Sequence, residues 1–173
     1  MNDEALRYPI GRFTPQESYT KQELDQCIGR IQSLPGRIET LINNFSQKQF
    51  DTVYRDGGWT ARQVVHHVSD SHMNAYIRFK WALTETTPTI KAYDEKLWAE
   101  TPDVKLDPKI SLNILKALHP KWTALLSSMT AEDLKKEYIH PETKKINRLD
   151  RIVAMYAWHG DHHLGHLKIV AEK

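Results

Sequence analysis

The sequence contains one cysteine, Cys27, and seven glycines among its 173 residues. A single cysteine excludes a disulfide within the chain and is typical of a reducing, cytoplasmic compartment. The small number of glycines argues against a β-sandwich, whose many turns use that residue. These two shortages favour a helical protein of the cytoplasm.

Long apolar runs and an excess of charge of one sign are also missing. No stretch approaches the ~18 consecutive apolar residues of a transmembrane helix. Residues 1–8, which include Asp3 and Glu4, lack the basic and apolar regions of a signal peptide. The 24 Lys and Arg residues against 22 Asp and Glu give a formal net charge of +2. We therefore expect neither a membrane nor a nucleic acid as partner.

Residues 1–173 form a single predicted domain, in which apolar residues at steps of three, four and seven indicate four long helices. The first is predicted from about Glu17 to Phe45, with a kink or a break at Pro35-Gly36. The third follows Asp107-Pro108, a pair that fits an N-cap and a first-turn proline. The fourth is predicted to begin after Asn147 as its cap and to end near Val170.

The second helix has the clearest start signal. Thr60 as N-cap and Gln63 three residues later make a capping box, and the helical pattern continues to about Leu83. Between it and the third helix, residues 86–108 predict a long ordered loop, since aromatic side chains accompany its prolines.

Two shorter elements complete the predicted fold. Thr130 starts a short capped helix, and residues 137–146 form either a small hairpin or a loop. The predicted class is all-α, a four-helix bundle with a long loop between helices 2 and 3. Bundles of this kind commonly hold metal ions between side chains of facing helices.

Four of the nine histidines lie in segment 158–167. His159 and His163 are about one turn apart and, at roughly 100° per residue, continue the apolar face of the fourth helix. Buried imidazoles need either hydrogen bonds or a metal. On the second helix His67 borders the apolar face, whereas His66 points away and His72 is interpreted as a packed or surface residue. We therefore predict one divalent metal ion bound by His67, His159 and His163.

Three neutral imidazoles leave an ion its full double charge and open coordination positions, as in catalytic rather than structural zinc sites. A bound water could then act as nucleophile, or a thiolate could take its place. Several polar side chains near these histidines are weak candidates for catalytic or substrate contacts, although each taken singly is better explained as an ordinary helix-surface group: Asp70, Ser71, Asn74, Arg78, Tyr156 and Asp161.

Two segments resemble the DinB/YfiT-like superfamily, namely 59–68, WTARQVVHHV, and 158–166, WHGDHHLGH. The opening RYPIG at 7–11, and YDE at 93–95 followed by Trp98, resemble its YfiT branch. The resemblance therefore covers nearly the whole chain.

This resemblance implies a four-helix bundle that forms a homodimer and holds one zinc or nickel ion. Matched residue by residue, the implied ligands are His67, His159 and His163. Many members carry Gln at the position of His166, which leaves open whether His166 or a water completes the metal shell. Members are described as metal-dependent hydrolases, and several are thiol S-transferases that use bacillithiol or mycothiol.

Three functions are compatible with these residues. The first is a metal-dependent hydrolase of a small molecule, and the second is a thiol S-transferase that detoxifies electrophiles. The third is a non-enzymatic stress or binding protein that the metal stabilises. A hydrolase needs a base close to the bound water, and neither Asp70 nor Asp161 has a helical phase that demands this role. Thiol transfer therefore fits the residues slightly better.

Overall fold

A computed structural model describes residues 3–173; Met1 and Asn2, part of the N-terminal stretch considered above, lie outside the described residues. Within residues 3–173 the elements are α1 (Asp3–Arg7), α2 (Lys21–Ile42), α3 (Gln47–Phe50), α4 (Ala61–Thr84), α5 (Glu95–Trp98), a 3₁₀ turn (Pro102–Lys105), α6 (Lys109–Ser127), α7 (Ala131–Lys135), β1 (Glu137–Ile139), β2 (Ile146–Arg148) and α8 (Leu149–Ala171). The four long helices α2, α4, α6 and α8 form a bundle, so the predicted fold class is confirmed. None of the helices in the described part of the chain combines the length and apolar character needed to cross a membrane.

The helices are not arranged in their order along the chain. α2 packs against α8 and α6, and α4 packs against the same two helices. The order around the bundle is therefore α2, α8, α4, α6, which places the consecutive helices α2 and α4 on a diagonal. In an up-and-down bundle with short loops, consecutive helices are neighbours instead. The arrangement here makes α4 and α8 neighbours, although they are far apart in the sequence.

The predicted start of α4 is confirmed by its hydrogen bonds. The Thr60 hydroxyl accepts from the Gln63 amide at 3.2 Å, and the Gln63 side-chain oxygen accepts from the Thr60 amide at 3.0 Å. α2 begins later and ends earlier than predicted, with a second capping box at its own start, between Thr20 and Glu23. It is not split at Pro35, which lies inside the continuous helix.

Two predicted caps were displaced. Asn147 does not cap α8, because it belongs to β2 and lies opposite Tyr138 in the antiparallel hairpin; the residue before α8 is Arg148. Residues 137–146 therefore form a hairpin rather than a loop. Pro108 rather than Asp107 occupies the N-cap position of α6, so the helix begins one residue later than predicted. Asp107 Oδ1 still accepts from the Lys109 amide at 2.9 Å.

The connection between α4 and α6 is ordered, as predicted, but contains α5 and the 3₁₀ turn. Its first part is tied to the hairpin, because the Ile90 amide donates to the Ile139 carbonyl at 3.0 Å and the Ile139 amide donates to the Pro88 carbonyl at 2.9 Å. These two main-chain bonds fix residues 88–90 beside β1. The segment that follows, with Tyr93 and Glu95, lies along one wall of the cavity described below.

The buried apolar side chains form two separate clusters. Along α8 one cluster ends at Ala157 and the other begins at Leu164, and α4 shows the same interruption between Val68 and Ala75. The turns between these limits carry buried or partly buried histidines from three helices: His72, His119, His159, His162 and His163. A histidine layer therefore crosses the bundle at mid-height, between the two apolar clusters.

Candidate metal centre

Three imidazoles predicted as ligands converge in the structure, at the edge of the histidine layer. His67 comes from α4, and His159 and His163 come from consecutive turns of the neighbouring α8. Ring nitrogens of the three residues lie within 4.8 Å of one another. His67 and His163 are buried and His159 is partly exposed, so the group lies at the edge of the core and can be reached from outside.

The spacing of the nitrogens fits a single ion. The Nε2 atoms of His67 and His159 are 3.3 Å apart. Two nitrogens bound at about 2.0–2.1 Å to a tetrahedral ion lie roughly 3.3–3.4 Å apart. The two side chains are therefore already at the separation that a shared zinc-like ion requires, and the donor set of three imidazoles suits zinc or nickel.

Burial keeps these rings in the form that binds metals. It lowers the pKa of His67 to about 4, with a smaller contribution from the neighbouring His162. Burial likewise lowers the pKa of His159 and of His163 well below the ordinary value. At neutral pH all three are neutral imidazoles, and neutral imidazole is the metal-binding form.

An inner chain of histidines runs from His159 into the core. His159 Nδ1 lies 3.3 Å from His72 Nε2, and His72 Nδ1 lies 3.0 Å from His119 Nε2. His119 Nδ1 then donates to the main-chain carbonyl of Ile31, at 2.6 Å. His72 and His119 are fully buried, each 0% exposed. The inner chain therefore joins a predicted ligand on α8 to the backbone of α2.

An outer chain runs from His163 in the opposite direction. His163 Nδ1 lies 3.3 Å from His166 Nδ1, and His166 Nε2 donates to the Arg7 carbonyl at 3.2 Å. His166 also stacks on Tyr54, with ring centroids 3.8 Å apart. His166 thus meets the ring of His163 at Nδ1 and is held by the N-terminal segment. His162, His163 and His166 also bring ring nitrogens within 4.8 Å of one another; within this group the hydrogen bond joins His163 and His166.

The opening motif at 7–11 packs over the C-terminal half of α8. A Cβ placed on Gly165 would come within 2.6 Å of Pro9, so only glycine lets the segment approach this closely. Tyr8 packs on the His162 ring at 5.9 Å, and the Trp158 indole donates to the Gly11 carbonyl at 3.2 Å. The segment therefore covers the outer chain.

A cavity of about 380 Å³ opens beside the three imidazoles. Trp59 packs on His67 with ring centroids 4.6 Å apart and forms one side of it. The remaining lining comes from α4, α5, α8, the preceding loop and the hairpin: Ser71, Arg78, Tyr93, Glu95, His140, Met155 and Tyr156. The volume suits a small molecule.

Comparisons with known proteins decide the family. Residues 30–167 match the model of the DinB superfamily, which is more than half of the chain. The chain belongs to the DinB superfamily.

Close relatives of this DinB-superfamily chain carry a common description. Proteins from Bacillus cereus (strain 03BB102) and Bacillus thuringiensis subsp. konkukian are each 53% identical over 167 residues, covering 96% of this chain and 95% of the relative, and are named "putative metal-dependent hydrolase". YfiT from Bacillus subtilis has a similar structure, with a TM-score of 0.95, 46% identity and 97% coverage of both chains. It is described as a probable metal-dependent hydrolase with an unusual four-helix bundle topology.

The other polar residues named as candidates from the sequence lie in different places relative to the cavity of this DinB-superfamily fold. Ser71, Arg78 and Tyr156 line the cavity. Asp161 instead forms ion pairs with Arg30 at 2.6 Å and Arg37 at 2.7 Å, on the side facing α2.

Asp70 and Asn74 are not among the residues that line this cavity. The Asn74 amide donates to the Asp70 carbonyl at 2.9 Å, within their own helix. Asp70 is half-buried, and burial raises its pKa to about 6. Neither residue lines the cavity beside the three imidazoles, and a catalytic role for them stays a prediction.

Two features of the site escaped sequence reasoning. His72 is a packed residue, one of its two predicted alternatives, but helical phase does not predict its contact with His159 or the position of His119. Glu95 is a carboxylate that lines the cavity from α5. It belongs to the YDE motif at 93–95, which was the available signal.

Proposed function

We propose that this protein is a metal-dependent hydrolase of small anionic molecules, with one zinc or nickel ion held by His67, His159 and His163. The observation that supports it most directly is the convergence of three neutral imidazoles, two of them 3.3 Å apart at Nε2, on the wall of a small-molecule cavity. When bound, an ion of this kind lowers the pKa of a water and polarises a carbonyl or phosphoryl oxygen.

Glu95 supports hydrolysis over thiol transfer. A hydrolase needs a base near the attacking water, and Glu95 lines the same cavity as the three imidazoles. It also lines the adjoining cavity, of about 590 Å³, whose walls include His163. We assign to the Glu95 carboxylate the role of accepting a proton from water. Thiol transfer, the second candidate, requires no such base.

Arg78 indicates the substrate class. Its side chain is only 9% exposed and lines the cavity, and its Nε is buried without a hydrogen-bond partner. Within residues 3–173 no carboxylate pairs with it. Its contacts are the Lys91 carbonyl at 3.4 Å, the face of Tyr93, whose ring centroid is 5.7 Å away, and the side chains of Tyr138 and Tyr156, to which it is hydrogen-bonded. A buried guanidinium without an anion is costly. A substrate carboxylate or phosphate supplies the missing charge.

Tyr156 completes the polar wall near Arg78. Burial raises the pKa of Tyr156 above its ordinary value, so its phenol stays protonated and can donate a hydrogen bond. Together with the hydroxyl of Ser71 it can orient the uncharged part of a bound molecule.

The first experiment measures metal content and activity together. Purified protein without a histidine tag is assayed on matched pairs of esters, amides and phosphate esters, with and without a carboxylate, and for conjugation of a low-molecular-weight thiol to an electrophile. We expect about one metal per chain and hydrolysis of the carboxylate-bearing members. Conjugation without hydrolysis would replace the proposal by thiol S-transfer, and full metal with neither activity would favour a metal-stabilised binding protein.

Two variants test the assigned roles. Glu95→Gln should lower kcat about 100-fold or more, as expected for loss of a general base, and leave metal content unchanged. Arg78→Gln should raise KM for anionic substrates about 30-fold, the equivalent of about 2 kcal/mol for a lost buried charge contact. Its control is the neutral member of each substrate pair, for which KM should stay constant. An equal loss on both members would remove Arg78 from substrate binding.

The expected homodimer stays a prediction. Analytical ultracentrifugation of the metal-loaded protein would measure it directly.

A further inference from the structure

The inner chain of histidines ends at a main-chain carbonyl of α2 that lies one helical turn before Pro35. Inside a helix, the amide of residue i+4 normally donates to the carbonyl of residue i. Pro35 has no amide hydrogen, so the carbonyl of Ile31 lacks its usual donor. His119 Nδ1 occupies the position of that donor, 2.6 Å from the Ile31 oxygen. The proline inside α2 therefore leaves a buried acceptor that a histidine of α6 satisfies.

This contact fixes the direction of every hydrogen bond that follows. A carbonyl can only accept, so the proton of His119 must be on Nδ1, and its Nε2 must accept. His72 therefore donates from Nδ1 to His119, at 3.0 Å, and accepts at Nε2 from the Nδ1 proton of His159, at 3.3 Å. For three neutral rings no other placement of protons satisfies the chain. In this arrangement the Nδ1 of His159 carries the proton and its Nε2 carries the free lone pair.

That lone pair is on the nitrogen that faces the proposed metal position, 3.3 Å from His67 Nε2. The opposite tautomer would place a proton on this nitrogen and prevent it from binding a metal. Water cannot take over the role of the chain easily, because His72 and His119 are each 0% exposed. Correct presentation of His159 thus depends on groups that never touch the ion.

We propose that Pro35, His119 and His72 are positioning residues, which hold His159 in the tautomer and orientation that bind the metal. The inference rests on the proposed metal site, but it concerns the proton positions of the metal-free protein. These can be read even if the protein proves not to be a hydrolase.

The first test reads the tautomers directly. Long-range ¹H–¹⁵N correlation spectra of the zinc-free wild-type protein should show His72, His119 and His159 protonated on Nδ1. This is the minor tautomer of free neutral histidine in water, so the signature is distinctive. Protonation of His159 on Nε2 would overturn the proposal. Failure of the wild type to bind zinc, with the tautomers as expected, would instead overturn the proposed function.

The second test removes the link next to the ligand. His72→Phe should raise the zinc dissociation constant about 10-fold or more, the size of effect seen when a partner of a ligating histidine is lost. Its matched control is His66→Phe, because His66 is also buried on α4 but contacts Ser111 at 2.8 Å and lies outside the chain. We expect His66→Phe to bind zinc as the wild type does. Equal zinc affinity in both variants would contradict the proposal.

The third test addresses the proline itself. Pro35→Ala restores an amide that competes with His119 for the Ile31 carbonyl, so zinc binding should weaken, by less than in His72→Phe. The helix should gain stability, because proline is disfavoured in helix interiors. Pro120→Ala is the control, since Pro120 lies inside α6 in the same way and the carbonyl it frees, that of Lys116, belongs to an exposed residue. Weaker zinc binding in both variants, or in neither, would remove Pro35 from the chain.

Discussion

The two histidine chains attached to α8 reach the same kind of end point by different routes. The inner chain starts at His159 and ends on the backbone of α2, within the bundle. The outer chain starts at His163 and ends on the carbonyl of Arg7, in a segment that lies over the bundle. Each chain has a main-chain carbonyl as its final acceptor, and a carbonyl never changes its protonation state.

The difference between them is in what holds the end point. The inner acceptor is fixed by helix packing and by a proline, so it moves only if α2 moves. The outer acceptor depends on the close approach of Pro9 to Gly165, which is a local contact of a short segment. We therefore expect the inner chain to be rigid and the outer chain to tolerate substitution better.

The largest effect on zinc binding should come from removing His163, the predicted ligand at which the outer chain starts. In His163→Ala the metal content should fall from about one ion per chain to nearly none, because two imidazoles alone bind weakly. Elemental analysis after dialysis against limiting zinc measures this. His140→Ala is the control, since His140 lines the cavity but is not among the converging rings. Full zinc occupancy in His163→Ala would show that His163 is not a metal ligand, and the outer chain would then have no ligand to position.

The second largest effect should come from changing His166, which accepts the hydrogen bond of His163 in the outer chain. His166→Leu should weaken zinc binding about 10-fold, because the Nδ1 proton of His163 loses its acceptor. His166→Gln should stay near wild type, since an amide offers one acceptor to His163 and one donor to the Arg7 carbonyl. Competition with a chelator of known affinity measures both. If the two variants bind zinc equally, the outer chain does not position His163.

A smaller effect should separate the two glycines of α8. A Cβ on Gly160 would lie 2.5 Å from a methyl group of the buried Leu34, at the contact of α8 with α2. Gly160→Ala should therefore lower the free energy of unfolding by about 1–3 kcal/mol, and Gly165→Ala by less, because the segment with Pro9 can move outwards. Urea denaturation of the metal-free proteins measures both.

The two glycine variants should rank in the opposite order when zinc affinity is measured instead of stability. Gly165→Ala displaces the segment that carries the Arg7 carbonyl, so it should weaken zinc binding more than Gly160→Ala does. Identical ranking in stability and in zinc affinity would show that the N-terminal segment has no separate influence on the site.

The smallest effect should come from Asp161. The Asp161 side chain is 19% exposed, but its two arginine partners are 43% and 39% exposed, and ion pairs that solvent reaches contribute about 1 kcal/mol or less. Asp161→Asn should therefore change stability slightly and leave metal content and kcat as they are, although Asp161 lies between ligands in the sequence. A large loss of kcat would return Asp161 to the list of catalytic candidates.

The features that the sequence predicted well are local ones. The start of α4 at Thr60 and the shared face of His159 and His163 follow from spacings of three and four residues, which every helix translates into geometry in the same way. The meeting of His67 with them follows from one further assumption, that both helices turn their apolar faces to a common core.

The features that it missed depend on which elements become neighbours. Helical phase places His72 on α4 but cannot say that α6 lies beside it with His119. Asn147 is a good helix cap by composition, but pairing with Tyr138 in the hairpin takes precedence. Glu95 reaches the cavity only because the preceding residues are bound to β1, and no periodicity describes such a loop.

The order α2, α8, α4, α6 around the bundle has a consequence for folding. His67 and His159 are separated by 92 positions, and Ile31 and His119 by 88, so neither half of the chain contains the site. An ion that binds only the fully assembled bundle stabilises that state alone. Zinc uptake would then report the last docking event of folding, and a change in its rate would reveal partly assembled bundles that spectroscopic helix content does not distinguish.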